Sequence, residues 1–294
     1  MAGCEKTLKI FQKGFNYSQD GLGNRLILHL QGCNMRCPWC SNPEGMFPEG
    51  VLFTEKEWLS ETCCPRGAVR GGNLDRSVCA ACAGRPCLSV RQKGIRLSYN
   101  VFTLDEVVDE CVRSKPMFFD GGGVTLTGGE VTLQFDAVKE LLQRLGEEGI
   151  HRAIETNGCH ARAEELFPLV DQWIMDVKHY DEETHRKWTG VSNALPVATL
   201  RKAAAVHPDV LVRIPLIPGF NDSPQDAVGF AQLFSSVGFG SNIRLELLSY
   251  HEFGKGKWAQ CGLEYTMPSA RISPETVIAF EKLFREHGIN CVRT

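Results

Sequence analysis

The sequence predicts an α/β fold, a partial (β/α)6 barrel carrying a small cysteine-rich insert. Two patterns predict it. Short apolar runs of buried parallel-strand type alternate with helical periodicities to the end of the chain, and six such repeats can be counted where a closed barrel would need eight. Pro48–Leu97 breaks that alternation with paired glycines, single prolines and five cysteines.

Arg25–Gln31 alternates enough to be the first strand and runs directly into a cysteine group. After the insert, Thr103 caps a helix through Ser114, and Gly123–Thr127 is the second strand. Phe135, Val138, Leu141, Leu142 and Leu145 share one helical face. Ala153–Thr156 and Trp173–Val177 are strands three and four, Leu195–Val206 a helix, and Val210–Ile217 strand five. Ser223 followed by Pro224 starts a helix, Ile243–Leu248 is strand six, and Ser273–Pro274 opens the last helix with Val277, Ile278, Phe280 and Leu283. The expected division is 1–47 with 98–294 as the barrel, and 48–97 as the insert. That insert holds eight Lys/Arg against five Asp/Glu, and its fold is expected to depend on metal more than on a hydrophobic core.

The chain has 294 residues, 32 Lys+Arg against 35 Asp+Glu, and a formal charge of -3, which argues against a general nucleic-acid binder. No apolar run reaches the ~18–20 residues of a membrane-spanning helix, and Met1–Lys9 lacks the apolar stretch of a signal peptide. A cytoplasmic, membrane-free protein is expected. Cysteine is the outlier, at 13 residues. A disulfide framework suits small exported scaffolds, so the crowded group (Cys33, Cys37, Cys40, Cys63, Cys64, Cys79, Cys82 and Cys87) points to metal ligation. Cys4, Cys111, Cys159, Cys261 and Cys291 stand singly, as buried small hydrophobes usually do.

Gly32-Cys33-Asn34-Met35-Arg36-Cys37-Pro38-Trp39-Cys40 spaces its thiols C-x3-C-x2-C on one loop after the first strand. Three thiolates can hold three corners of a cubane iron–sulfur cluster and leave one iron open. That is the logic by which a catalytic metal keeps a position for substrate. The alternative, a zinc knuckle, normally needs four ligands in C-x2-C pairs.

This loop resembles the signature of the radical S-adenosylmethionine superfamily, and the chain is similar to the activating enzymes of glycyl radical enzymes, the group that includes pyruvate formate-lyase activating enzyme. The resemblance covers nearly the whole chain outside the insert. It runs through Asp20-Gly21-Leu22-Gly23-Asn24-Arg25, Gly121-Gly122-Gly123-Val124 leading to Gly128-Gly129-Glu130, Glu155-Thr156-Asn157-Gly158 and Asp176-Val177-Lys178. It continues in Thr189–Asn193, Val212–Gly219 and Tyr250-His251-Glu252-Phe253-Gly254.

The resemblance implies that Cys33, Cys37 and Cys40 ligate a [4Fe–4S] cluster whose open iron is chelated by S-adenosylmethionine. Gly128, Gly129 and Glu130 would meet the methionine amine. Glu155, Asp176 and Lys178, at the ends of strands three and four, would contribute to cofactor and cation binding, although Asp stands at the Glu155 position in pyruvate formate-lyase activating enzyme. Arg213 would hold a carboxylate or support the cofactor, since an Arg among apolar strand residues needs a buried partner. His251 would touch the cofactor and Trp39 would cover the adenine and shield the cluster, whereas Trp173 and Trp188 are expected in the core. Asp20, Gly21, Gly23 and Arg25 would face the partner's glycyl loop. Leu22 and Val131 replace prolines common in the family, which changes loop stiffness rather than chemical groups.

In the insert, Cys64-Pro65 and Cys79-x2-Cys82-x4-Cys87 look like the remnant of two ferredoxin runs, in which the trailing Cys of each run ligates the other cluster. A ferredoxin-like module with one auxiliary [4Fe–4S] site on Cys64, Cys79, Cys82 and Cys87 follows, with Cys63 as the alternative to Cys64. Structural zinc on the same thiolates is the rival. The expected activity is abstraction of hydrogen from a glycine of a partner glycyl radical enzyme, by a monomer receiving electrons from a flavodoxin or ferredoxin. The alternatives are a radical enzyme acting on a small molecule or peptide, and a zinc or electron-transfer module.

Overall fold

The computed structural model describes residues 6–89 and 93–293, so Cys4 lies outside the described residues. The chain begins with β1 (Thr7–Tyr17) and β2 (Asn24–Leu30), an antiparallel pair whose register shifts between Ile10 and Gln12. Next come β3 (Leu52–Thr54), β4 (Val69–Arg70), β5 (Asn73–Leu74), α1 (Arg76–Ala80) and β6 (Ile95–Leu97). β3 pairs with β6 and β4 with β5, both antiparallel, around an apolar cluster of Leu52, Leu59, Cys63, Val69, Cys87 and Ile95.

The alternating part follows as β7 (Asn100–Thr103), α2 (Leu104–Arg113), β8 (Val124–Gly128), α3 (Phe135–Glu147), β9 (Arg152–Thr156), β10 (Gln172–Asp176), α4 (Glu182–Thr189) and α5 (Ala194–Val206). It closes with β11 (Val210–Leu216), α6 (Pro224–Val237), β12 (Ile243–Ser249), α7 (Lys255–Cys261), α8 (Pro274–Glu286) and β13 (Cys291–Val292). One open sheet orders the strands β13-β12-β11-β10-β9-β8-β2-β1-β7. The run from β2 to β13 is parallel, and β1 and β7 are antiparallel additions at one edge.

All six expected strands are present within a residue or so of their expected bounds. Their near-continuous burial is what a parallel sheet covered by helices requires, and Leu26, Leu126, Ile154, Trp173, Val212 and Leu245 lie in the main core. The helix starts also agree: Thr103 with Glu106 and Ser223 with Asp226 form capping boxes, and Ser273 caps α8. One crossover departs from the helical repeat. Between β9 and β10, Ala163–Leu169 is a 3-10 run containing Pro168, whose ring and missing N–H work against an α-helix. Among the described residues, no helix is long and apolar enough to cross a membrane.

Candidate active site

The cysteine loop after β2 is tied back to its own start. Gln31 is buried and donates from Nε2 to the carbonyls of Glu44 and Phe47 at 2.7 and 2.8 Å. Gly32 and Cys33 donate their N–H groups to Gly45 and Met46. Inside this ring Cys40 donates to the Cys37 carbonyl, and the N–H groups of Met35 and Asn42 point at the sulfurs of Cys33 and Cys40, each at 3.4 Å. Such donors favour a thiolate. Burial opposes it, pushing the Cys33 and Cys40 thiols up and that of Cys37 to about 12 despite the nearby Lys178. Buried sulfurs of this kind ionise when a metal compensates their charge, so the donor set fits an iron centre.

The three cysteines open onto one cavity of about 240 Å³ at the C-terminal ends of the parallel strands, where open α/β sheets bind ligands. Trp39, Gly128, Gly129, Glu155, Asp176, Lys178 and His251 also line it. Glu130 and Arg213 stand behind the wall.

Gly128 has φ +121, and a Cβ on Gly129 would lie 2.1 Å from the Gly32 carbonyl oxygen. The glycine pair therefore admits the chain's own backbone: Gly129 donates to the Leu30 carbonyl and Glu130 to that of Gly32. Glu130 is 1% exposed. It accepts from the Thr132 N–H and hydroxyl, the Thr156 hydroxyl and the Asn157 N–H. Asn157 in turn donates to Asn34 at 2.7 Å, so Glu130 braces the end of β9 against the cysteine loop.

Glu155 carries the cavity floor. It accepts from Thr127 at 2.7 Å and from Arg213 Nη1 at 2.8 Å. Burial alone would raise its pKa, but the Arg213 charge and the two hydrogen bonds hold it below the ordinary value. Lys178 lies 2.7 Å from Asp176, whose charge outweighs burial and keeps the ammonium protonated. Arg213 also donates Nε to Glu246 at 2.9 Å, and Nη2 to the Gln19 carbonyl. Glu246 went unnoticed in the sequence, although a carboxylate inside the apolar strand Ile243–Leu248 was a signal, and the register of β11 and β12 pairs it with Arg213.

At the rim, Trp39 is buried against Phe220 and Trp188, with ring centroids 4.6 and 5.9 Å apart. Trp188 therefore belongs to the aromatic group behind Trp39 rather than to the main core, whereas Trp173 is core. His251 is exposed and stacks on Phe253, which is 85% exposed. In the Asp20–Arg25 segment, Gly21 (φ +122) and Gly23 (φ +66) turn the chain, and Asp20 accepts from Asn16 at 2.8 Å while lying 3.9 Å from Arg213. Arg25 is a correction. It is 0% exposed and donates to the Thr125 hydroxyl and the Leu22 and Val124 carbonyls, so its side chain shapes the segment from beneath rather than standing on its surface.

In the insert, Cys64, Cys79, Cys82 and Cys87 line one small cavity with Leu52, Ala68 and Ile95. Cys63 is not on its wall; its sulfur faces the carbonyls of Trp58 and Lys93. Among the described residues, no three His, Cys, Asp or Glu side chains are grouped closely enough to hold a single metal ion. Of the single cysteines, Cys111 and Cys261 are buried as expected, whereas Cys159 and Cys291 are half-buried.

Residues 27–231 match the family model of the radical SAM superfamily. The chain is 31% identical over 298 residues to the indoleacetate decarboxylase activating enzyme of Tractidigestivibacter scatoligenes, covering 94% of this chain and 93% of that protein. It is 35% identical over 264 residues to the choline trimethylamine-lyase activating enzyme of Oleidesulfovibrio alaskensis, covering 84% of each. Among solved structures, a radical SAM methyltransferase from Sphaerobacter thermophilus shares the fold, with a TM-score of 0.55 and 15% identity over 95% of this chain and 67% of that one.

Proposed function

We propose residue roles from one premise: the chain belongs to the radical SAM superfamily and, within it, to the activating enzymes of glycyl radical enzymes. Its cofactors are accordingly a [4Fe–4S] cluster and S-adenosylmethionine, and its protein substrate is a glycyl radical enzyme. When bound, the reduced cluster supplies one electron that splits S-adenosylmethionine into methionine and a 5′-deoxyadenosyl radical, which takes a hydrogen atom from the partner's glycine. The relatives' names span decarboxylase and lyase partners, so the shared activation step is what carries over.

Cys33, Cys37 and Cys40 would hold three irons, leaving the fourth to the cofactor's amine and carboxylate. Gly128 and Gly129 would meet the methionine end with their backbone, with Glu130 fixing that wall. Glu155 and Asp176 would offset the sulfonium charge and accept ribose hydroxyls, with Lys178 and Arg213 holding them in place. Trp39 would cover the adenine and His251 would close the rim. Asp20, just before the turns at Gly21 and Gly23, would face the partner's glycyl loop. A dry, shaped site matters because a primary carbon radical attacks most C–H bonds.

Residues 48–97 would form a ferredoxin-like module with one auxiliary [4Fe–4S] cluster on Cys64, Cys79, Cys82 and Cys87, fed by a flavodoxin or ferredoxin. We place the reaction in the cytoplasm and the active form as a monomer. The observation that carries this reading is the convergence of the three loop cysteines, the glycine pair and the Glu155–Asp176–Lys178 group on one cavity. The test is anaerobic iron loading, addition of dithionite and S-adenosylmethionine, and assay of 5′-deoxyadenosine. An electron paramagnetic resonance doublet on a co-expressed glycyl radical enzyme distinguishes activation from action on a small molecule.

A further inference from the structure

Arg213 is a buried guanidinium with partners in two different places. Nη1 reaches Glu155 on the cavity floor and also lies 3.9 Å from Asp20, and Nη2 donates to the Gln19 carbonyl next to it. A further contact runs from Nε to Glu246 at 2.9 Å. Glu246 is 4% exposed, sits directly across from Arg213 in the β11–β12 register, and is not on the cavity wall.

A guanidinium is planar and its donors form a rigid fork, so gripping Nε fixes the directions of Nη1 and Nη2 together. A lysine could reach one carboxylate but could not span both sites. We propose that Glu246 is a positioning residue that orients Arg213 so that one side chain joins the cofactor cavity to the Gln19–Asp20 segment. Occupancy of the cavity is thereby transmitted to the segment that faces the partner. This rests on the function proposed above and adds to it a coupling between the two sites. Coupling between binding sites is reciprocal, so it can be read from either end.

The experiment uses anaerobically iron-loaded protein and measures amide hydrogen exchange over residues 18–22 with and without S-adenosylmethionine. In the wild type the cofactor should slow exchange there by roughly 5–150-fold, the usual range of site-to-site coupling. In Glu246→Ala that response should shrink below about twofold, within the loss expected when coupling is cut. The shift of the cluster's paramagnetic resonance spectrum on adding S-adenosylmethionine should persist in the variant. Glu246→Gln keeps an acceptor for Nε and should restore most of the response, a rescue that a merely structural role would not give. Should Glu246→Ala not fold, Arg213→Lys, which cannot fork, should lose the response while Glu246→Gln keeps it. An undiminished response in Glu246→Ala or Arg213→Lys, or none in the wild type, overturns the proposal. A wild-type cluster spectrum indifferent to S-adenosylmethionine overturns instead the function on which it rests.

Discussion

Trp258 donates from its indole Nε1 to the carbonyl of Cys40 at 2.9 Å, so the last cysteine of the loop is held by a helix from the far end of the chain. Beside it, Lys257 reaches Asn42 and the buried Glu44. Further along α7, the Gln260 carbonyl accepts from Thr54 and Arg76 of the insert. Trp258→Phe removes the donor and keeps most of the ring. Leaving this part-buried carbonyl unpaired should cost about 1 kcal/mol, read as a lower denaturant midpoint at unchanged slope.

Cys37→Ala should abolish formation of 5′-deoxyadenosine after anaerobic iron loading, because a cube held at two corners has lost the ligation the site is built for. Cys111→Ala, on the buried face of α2, is the control and should retain the activity at some cost in stability. Retained cleavage in the Cys37 variant would count against the site.

The insert makes a sharper distinction between adjacent cysteines. Cys64→Ala should lower iron by about four atoms per chain, one whole cluster. Cys63→Ala should leave iron content unchanged, since that sulfur lies off the cavity wall. Equal losses from both would remove the assignment of Cys64.

Gly129→Ala would drive a methyl against the Gly32 carbonyl, where an ideal Cβ has only 2.1 Å. The obstructing oxygen belongs to backbone and the methyl is fixed on the Gly129 Cα, so the strand end and the cysteine loop must separate. Overpacking of this kind should cost about 1–3 kcal/mol, and iron uptake should fall with it. Iron titration of apoprotein beside a melting curve separates the two effects.

Glu155 is held below the ordinary carboxylate range by Arg213 and Thr127 even though burial pulls it up. A depressed folded value means that the pair's contribution to stability is complete above the unfolded value and is lost as pH falls through the folded one. Unfolding scans should show that loss below about pH 4, and Glu155→Gln should flatten this acid limb. Its neighbour Asp20 is shifted the opposite way, first by burial and then by the Glu155 charge, so the same variant should lower the Asp20 value.

The parallel strands were legible because burial on both faces leaves near-continuous apolar runs such as Val210–Ile217, and the caps Thr103, Ser223 and Ser273 carry their own chemistry. β1 was not legible because its second half, which pairs only with β2, faces water: Gln12, Lys13, Gly14 and Phe15 are all exposed, with no sustained alternation to mark them. The loop cysteines could be read from spacing alone. Glu246 and the bracing role of Glu130 could not, because each is defined by a partner far away in sequence, Arg213 in one case and Asn157 in the other. Arg25 misled for the converse reason: its neighbours in sequence belong to an exposed turn, while its guanidinium points inward.

The sheet ends at β13 on one side and β7 on the other, and among the described residues these two edges do not meet. A closed eight-stranded barrel fills its own interior with side chains and receives ligands through its mouth. Here the edge strands β13 and β7 do not pair, so the sheet forms no closed wall. For an enzyme whose substrate is a glycine within another folded protein, such an unjoined arc would let a loop be offered from the side, without the guest molecule first having to unravel.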